Sequence, residues 1–358
     1  MPSFDIIKKT DLSNSFRVNA IKGKFDLQDN NIKEQFIGDI DLSKDWNIGV
    51  ICGHSGTGKT TIANNLFDIN KIINYNNEAI IDNMPENKSL DEITAMFNSV
   101  GFSSPYSWLK PYSVLSTGEK MRVDLAYFLL QDNDIIVFDE FTSVVDRNVA
   151  RITSMAVSKT IKRAKKKFIA VSCHSDIIEY LEPDWVFNTN NMTFEYTRGL
   201  LRRPEIKLEI YKQKGLWNLF RKYHYLNHNL NHSAIQFVGY IDNVPCVFCA
   251  VLHFPHPKVI NFKRITRLVV LPDYQGIGIG KMFLDYICND FIRNGFRMII
   301  TTTTPALMKS FIKDNNWKLK RTGRTGRTGM KSLDKTISGI NRFTTSWEYL
   351  IQKNILNT

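Results

Sequence analysis

Gly53-His-Ser-Gly-Thr-Gly-Lys59-Thr60 follows the apolar run "WNIGVICG" (46–53) and precedes "TTIANNLFDI". A GxxxxGK[ST] spacing between a strand and a helix constrains the fold more than any other feature of the chain. Strand, glycine turn and helix must form one βα unit. Its apolar strand is buried only if further strands lie beside it under covering helices. The glycines let backbone amides curl around phosphate, Lys59 reaches the outer oxygens, and the Thr60 hydroxyl helps hold Mg²⁺. Eighty residues beyond Lys59, "IIVFDE" ends in Asp139 and Glu140. A pair of acids ending a buried strand is costly unless it serves a cation. Asp139 suits the magnesium sphere, and Glu140 suits the polarisation of an attacking water.

The surrounding pattern agrees. "LDEITAMFNSV", "GEKMRVDLAYFLL" and "NVARITSMAVSKTIKRAKKK" read as helices, and "DIIVFDE" and "FIAVSCH" as buried strands. Strands alternating with helices predict a parallel α/β sheet. "FRVNAIKGKFDL", near the N-terminus, alternates loosely and predicts early strands. A basic, Pro-containing stretch, "TRGLLRRPEI" (197–206), interrupts the pattern. Beyond it "AIQFVGYI", "PCVFCAVLHF" and "ITRLVVL" read as antiparallel strands. "KMFLDYICNDFIRNG" reads as a helix, "FRMIITTTT" as a strand and "PALMKSFIKDNN" as a second helix. Two domains follow, 1–197 and 198–358, a division natural for 358 residues.

The net charge of +12 is unevenly spread. Residues 198–358 hold 26 Lys and Arg against 9 Asp and Glu, a net +17, whereas 1–197 is net −5. A half so basic attracts polyanions, with a merely solubilising surface as the alternative. No apolar run approaches the length that crosses a bilayer. The opening "MPSFDIIKKTD" lacks the long apolar stretch of a secretory signal. Five scattered cysteines give no disulfide framework, which fits a reducing cytoplasm.

In the order of its motifs the first half resembles the ABC ATPase family, over roughly residues 15–195. "LSTGEKMR" (115–122) resembles the LSGGQ signature, "SVVD" (143–146) the D-loop, and His174 stands at the switch-histidine position. The resemblance implies that ATP is held by Gly53, His54, Ser55, Gly56, Thr57, Gly58, Lys59, Thr60, Thr61 and Asp139, with Thr60 and Asp139 on Mg²⁺. Glu140 and His174 act in hydrolysis. Ser116, Gly118, Glu119 and Asp146 contact the nucleotide of a second copy, so one cassette per chain implies an ATP-dependent homodimer. The signature glutamine is Glu119 here, and no Gln lies between Lys59 and the signature. Binding and slow switching are expected rather than fast turnover.

"RLVVLPDYQGIGIGKMFL" has another grammar: strand, Pro, glycine turn, helix. It resembles motif A of the GNAT acyltransferases, [RQ]xxGx[GA]. In that family loop amides and a helix N-terminus hold the coenzyme A pyrophosphate. The resemblance covers about 205–350. It assigns Gln275, Gly276, Ile277, Gly278, Ile279, Gly280 and Lys281 to acetyl-CoA or another acyl-CoA. Val269, Val270 and Leu271 offer amides to the thioester carbonyl. "WNLFRKYHYLN" (217–227) resembles a segment of the phage Mom-type DNA-modification enzymes. That similarity implies base modification, with His224 and Tyr225 in proton transfer or base stacking, and packed aromatics at a helix end as the alternative. The family's general-acid tyrosine is replaced by Phe311 and Ile312.

Arg267, before the core strand, is a substrate contact or an edge charge. "RTGRTGRTG" (321–329) offers Arg321, Arg324 and Arg327 to a phosphate backbone, or is a solvated hairpin. Cys246 and Cys249 stand alone in an apolar strand and do not read as a zinc site, nor does "HFPHP" (253–257). The chain thus reads as α/β: an ABC-type P-loop ATPase domain followed by an α+β GNAT domain, located in the cytoplasm. The expected acceptor is a nucleic-acid base or similar polyanionic substrate. The alternatives are acetylation of a protein or small amine, or a nucleic-acid clamp without acyl transfer.

Overall fold

The computed structural model describes residues 3–28, 31–67, 69–70, 73–224, 228–257, 259–324 and 343–350. In chain order, β1 (Ser3–Asp11), α1 (Phe16–Phe25) and β2 (Asn31–Asp39) lead into β3 (Ile48–Cys52) and α2 (Lys59–Phe67). A helical segment follows: α3 (Leu90–Ser99), α4 (Pro105–Trp108) and α5 (Thr117–Leu130). Next come β4 (Ile135–Phe138), α6 (Arg147–Ala164), β5 (Lys167–Ser172), α7 (Ile178–Leu181), β6 (Trp185–Asn188) and β7 (Thr193–Tyr196). Beyond residue 204 run β8 (Glu209–Lys212), α8 (Trp217–Phe220), β9 (Ile235–Ile241), β10 (Val244–His253) and β11 (Phe262–Val270). The described elements end with α9 (Ile279–Arg293), β12 (Arg297–Thr302), α10 (Pro305–Ile312), β13 (Trp317–Arg324) and β14 (Phe343–Tyr349).

These elements form two compact units, 1–74 with 131–204, and 75–130 with 205–358. The first is built on a five-stranded sheet in the order β4-β5-β3-β6-β7. Its first four strands are parallel and β7 is antiparallel. β3 is buried at every position, as a strand covered on both faces must be. Trp46, Ile51, Ile62, Val137, Val171 and Trp185 share its core. β1 and β2 make a separate antiparallel ribbon.

Between them the chain departs from expectation. The stretch read as strand is the helix α1, with no buried side chain. Its alternation is too weak to decide the conformation, and its ends decide instead. Ser15 Oγ accepts from Val18 N, and Asp26, in the left-handed region at φ 52°, returns its N–H to Lys22 O.

The second unit holds a seven-stranded sheet, β13-β14-β12-β11-β10-β9-β8. The three strands from β9 to β11 are antiparallel neighbours, as their sequence suggests. β11 and β12, joined through α9, are parallel. Among the described residues that pairing runs only from Phe262–Arg297 to Ile265–Ile300, although β11 continues to Val270. The second half of β11 is therefore open on that side. The sequence places 75–130 inside the first domain, but its contacts group it with the second unit. α5 buries Met121, Arg122, Val123, Leu125, Ala126, Leu129 and Leu130.

Candidate functional site

In the first unit the glycine turn stands at the C-terminal end of β3, where parallel α/β sheets bind their ligands. A cleft of about 340 Å³ is lined by Ser55, Gly56, Gly58, Lys59, Thr60 and Thr61, and by Asp139 and Glu140 just past β4. The turn braces itself with its remaining residues. His54 N donates to Asn190 Oδ1 at 2.8 Å, and the Thr57 and Thr189 hydroxyls lie 2.5 Å apart. Gly53 packs so tightly that a Cβ there would fall 2.1 Å from Thr189 Oγ1. Lys59 begins α2 and donates from Nζ to His54 O at 2.6 Å, which holds the cation across the turn. Asp139 Oδ1 accepts from Glu140 N at 2.9 Å.

A cation, a helix N-terminus and hydroxyls from the turn, with Asp139 and Glu140 on the same cleft, fit a magnesium nucleotide. Sequence reasoning missed Lys8, Glu34 and Phe36, which also line the cleft and come from a distant stretch of chain. His174, two residues past β5, donates from N to Ser172 Oγ at 3.1 Å. Asp146 caps α6, accepting from Asn148 N and Val149 N.

The signature-like turn belongs to the second unit. Ser116 and Glu119 form a capping box at the start of α5. Glu119 N donates to Ser116 Oγ (3.3 Å), and Ser116 N donates to Glu119 Oε2 (3.0 Å). Glu119 Oε1 also accepts from Ser107 Oγ at 2.7 Å. Glutamate caps as well as glutamine does, so the substitution of the signature residue keeps the local fold. Gly118 lies in the first turn of the same helix.

Also in the second unit, the chain leaves β11, turns at 272–274 and enters α9 through Gly276 and Gly278, at φ 87° and 95°. Gly278 is the N-cap of α9; Ile279 and Gly280 open its first turn, with Ile279 buried. Leu271 N donates to Cys246 O at 2.9 Å. Antiparallel ladders alternate, so the Val269 amide also faces β10 while the Val270 amide faces the open side of β11. Of the three expected carbonyl-binding amides, Val270 alone has that orientation. Gln275 acts through its side chain: Nε2 donates to Val270 O at 3.0 Å.

Positively turned glycines, a 15-residue helix starting at them, and an open strand edge beside them make a cradle for a pyrophosphate with an extended arm. The acetyltransferase (GNAT) family model matches residues 198–310. This region carries a GNAT domain. No curated protein sequence matches the chain. Solved structures similar to it include the ATP-binding cassette MJ0796, in a dimeric post-hydrolysis state with ADP and Pi. That protein is 14% identical at a TM-score of 0.41, over 55% of this chain and 98% of its own. Another is CbiO1 of Clostridium perfringens, part of the ABC transporter complex CbiONQ: 18% identity, TM-score 0.35, 51% of this chain and 84% of its own. A third is the ribosomal-protein-S18-alanine N-acetyltransferase of Escherichia coli, with 11% identity, TM-score 0.32, 42% of this chain and all (100%) of its own.

Within the GNAT domain several expected contacts take other partners. Lys281 is not left to face a phosphate: its ammonium is bound by both Asp285 and Asp314. Trp317 Nε1 adds a hydrogen bond to Asp285. Breaking such a half-buried cluster leaves its carboxylates uncompensated. Lys281→Met is therefore expected to cost about 3 kcal/mol in urea unfolding; a loss of acetyl-CoA affinity with unchanged stability would instead give Lys281 to the ligand. Phe311 is fully buried and stacks on Trp317 at 4.1 Å, while Ile312 is 71% exposed. Neither supplies a proton.

His224 is 5% exposed, with its ring edge-on to Trp217 at 5.9 Å, a packed rather than displayed position. Ile277 lies in the glycine turn, whereas Tyr225 and Arg327 fall outside the described residues. Arg267 donates to Thr266 O and Asn229 O at 2.8 and 2.7 Å, and burial lowers its pKa. Arg321 and Arg324 lie on β13 itself rather than in a loop. Three residues apart on a strand, they face opposite sides and cannot both lie along one face. Cys246 donates from Sγ to Gly239 O at 3.3 Å, and burial pushes its thiol up to about 12; burial also raises Cys249.

Proposed function

We propose that the chain is an ATP-binding ABC-type ATPase joined to an acyl-CoA-dependent N-acyltransferase that modifies a nucleic-acid base. The opening of β11 away from β12, beside the 276–280 turn, carries the acyl-transfer reading. Bound acyl-CoA supplies a thioester carbonyl activated toward amines. The turn amides and the N-terminus of α9 hold its pyrophosphate, and Val270 N–H stabilises negative charge on the carbonyl oxygen. Trp217, Phe220 and Val269 pack together on one face of the sheet. That face is closed by packing, with the buried His224 ring against Trp217, so the acceptor amine reaches the carbonyl from the open edge of β11 instead. Thr60 and Asp139 hold Mg²⁺ on ATP, Glu140 orients water, and the 116–118 turn meets the ATP of a second copy.

The polyanion rests on the +17 of 198–358 and on where it shows. β13 is an edge strand, with Lys318, Lys320, Arg321 and Arg324 all exposed. Lys320 is held by Glu348 at 2.7 Å. The full chain should bind DNA or RNA with affinity falling steeply from about 50 to 200 mM salt, at a log–log slope of about −0.7 to −0.9 per phosphate contact. Lys318→Ala with Arg321→Ala should flatten that slope by up to about two contacts. Mass spectrometry of nucleosides from expressing cells should reveal an acylated base. A chain that ignores nucleic acid at low salt, and leaves nucleosides unmodified, would give the acceptor role to a protein or small amine.

A further inference from the structure

The segment 75–130, which carries the signature-like turn, is built onto the acyl-CoA turn. Three contacts converge there within the second unit. Ser103 N donates to Gln275 Oε1 at 2.9 Å, while Nε2 of the same amide donates to Val270 O. Both ends of the Gln275 amide are thus engaged, which fixes its orientation. The side chain is a crossbar from residue 103 to the strand end whose amide faces the open edge. Gly101, at φ +85°, approaches so closely that a Cβ would lie 2.9 Å from Gln275 O. Arg122, 1% exposed on α5, places Nη1 3.7 Å from Asp273 Oδ1. A guanidinium so deeply buried is stable only while its partners hold position. Arg122 follows Ser116, the cap of α5, by less than two helical turns. A hydrogen-bonded helix moves as a body, so displacement at one of these points is felt at the other.

We propose that Gly101, Ser103 and Arg122 are positioning residues for acyl-CoA, and that through α5 nucleotide engagement at Ser116 alters acyl-CoA affinity. This rests on the reading above that the 116–118 turn meets ATP. Linkage requires the effect to be reciprocal.

The test is calorimetry on the full chain with Mg²⁺, acetyl-CoA and a non-hydrolysable ATP analogue. The acetyl-CoA Kd should shift at least about fivefold when the analogue saturates, and the analogue's Kd should shift by the same factor with acetyl-CoA present. Asp273→Asn, at an exposed carboxylate, should bring that factor toward one. Asp242→Asn, at an exposed carboxylate in the turn between β9 and β10, should keep the parent factor. Both ligands binding the parent with Kd values independent of each other would overturn the coupling alone. So would an Asp273→Asn variant that keeps the full factor. Failure of the parent to bind either ligand would remove the functional reading, and the coupling with it.

Discussion

Gly278→Val is expected to lower acetyl-CoA affinity by more than about 100-fold while leaving affinity for an ATP analogue unchanged. Gly278 sits at φ 95° as the N-cap of α9. A branched side chain there costs about 1–2 kcal/mol of backbone strain, and it adds bulk at the turn whose amides are proposed to meet the pyrophosphate. The two effects are separable. Strain lowers the melting temperature by a few degrees, about what 1–2 kcal/mol does in a domain of this size. Blocked approach removes binding at temperatures where the variant is still folded. Gly280→Ala is a graded comparison: its Cβ would meet Val270 Cγ2 at 3.0 Å, a side-chain contact that small shifts relieve. Calorimetry with each variant, with the ATP analogue as the control, reads the difference. A Gly278→Val protein that binds acetyl-CoA like the parent would show that this turn does not hold coenzyme A.

Both glycine turns were legible because their chemistry is local. A strand, a glycine spacing and a helix occupy consecutive residues, and the structure places both turns where β3 and β11 end. The sheet of the first unit followed from apolar runs too short for helices, such as "DIIVFDE" and "FIAVSCH". Four features were not legible. α1 has no buried face, so its periodicity carried no signal, and its caps at Ser15 and Asp26 are single residues. Lys281 looks like a phosphate ligand in sequence, because Asp314, one of its two partners, lies 33 positions away. Arg321 and Arg324 read as loop residues because threonine and glycine surround them, yet pairing with β14 makes them strand. The attachment of 75–130 to the second unit depends on contacts such as Ser103 to Gln275, separated by 172 positions. No local pattern encodes a joint of that range.

Lys59→Ala and Glu140→Gln are expected to part company. Lys59 is the cation that begins α2, held over the turn by its bond to His54 O. Without it the turn offers the phosphates only amides and hydroxyls, Lys8 remains as a cation on the cleft, and the carboxylates of Glu34, Asp139 and Glu140 repel them. ATP affinity should fall by about two orders of magnitude or more, with the fold intact because Lys59 Nζ bonds only a turn carbonyl among the described residues. Glu140→Gln keeps the size and the hydrogen-bonding capacity of the side chain, and removes one negative charge and the base-like oxygen. That variant should bind ATP at least as tightly as the parent and fail to hydrolyse it. If the 116–118 turn of one chain closes on the ATP of another, trapped nucleotide stabilises the pair by mass action. With ATP and Mg²⁺, Glu140→Gln should elute from a sizing column as a dimer, and Lys59→Ala as a monomer under the same conditions. Removing Mg²⁺ should return Glu140→Gln to monomer, because the ion proposed to tie the phosphates to Thr60 and Asp139 is then gone. A Glu140→Gln protein that binds ATP to saturation and stays monomeric would rule out the composite site and leave a nucleotide bound by each chain on its own.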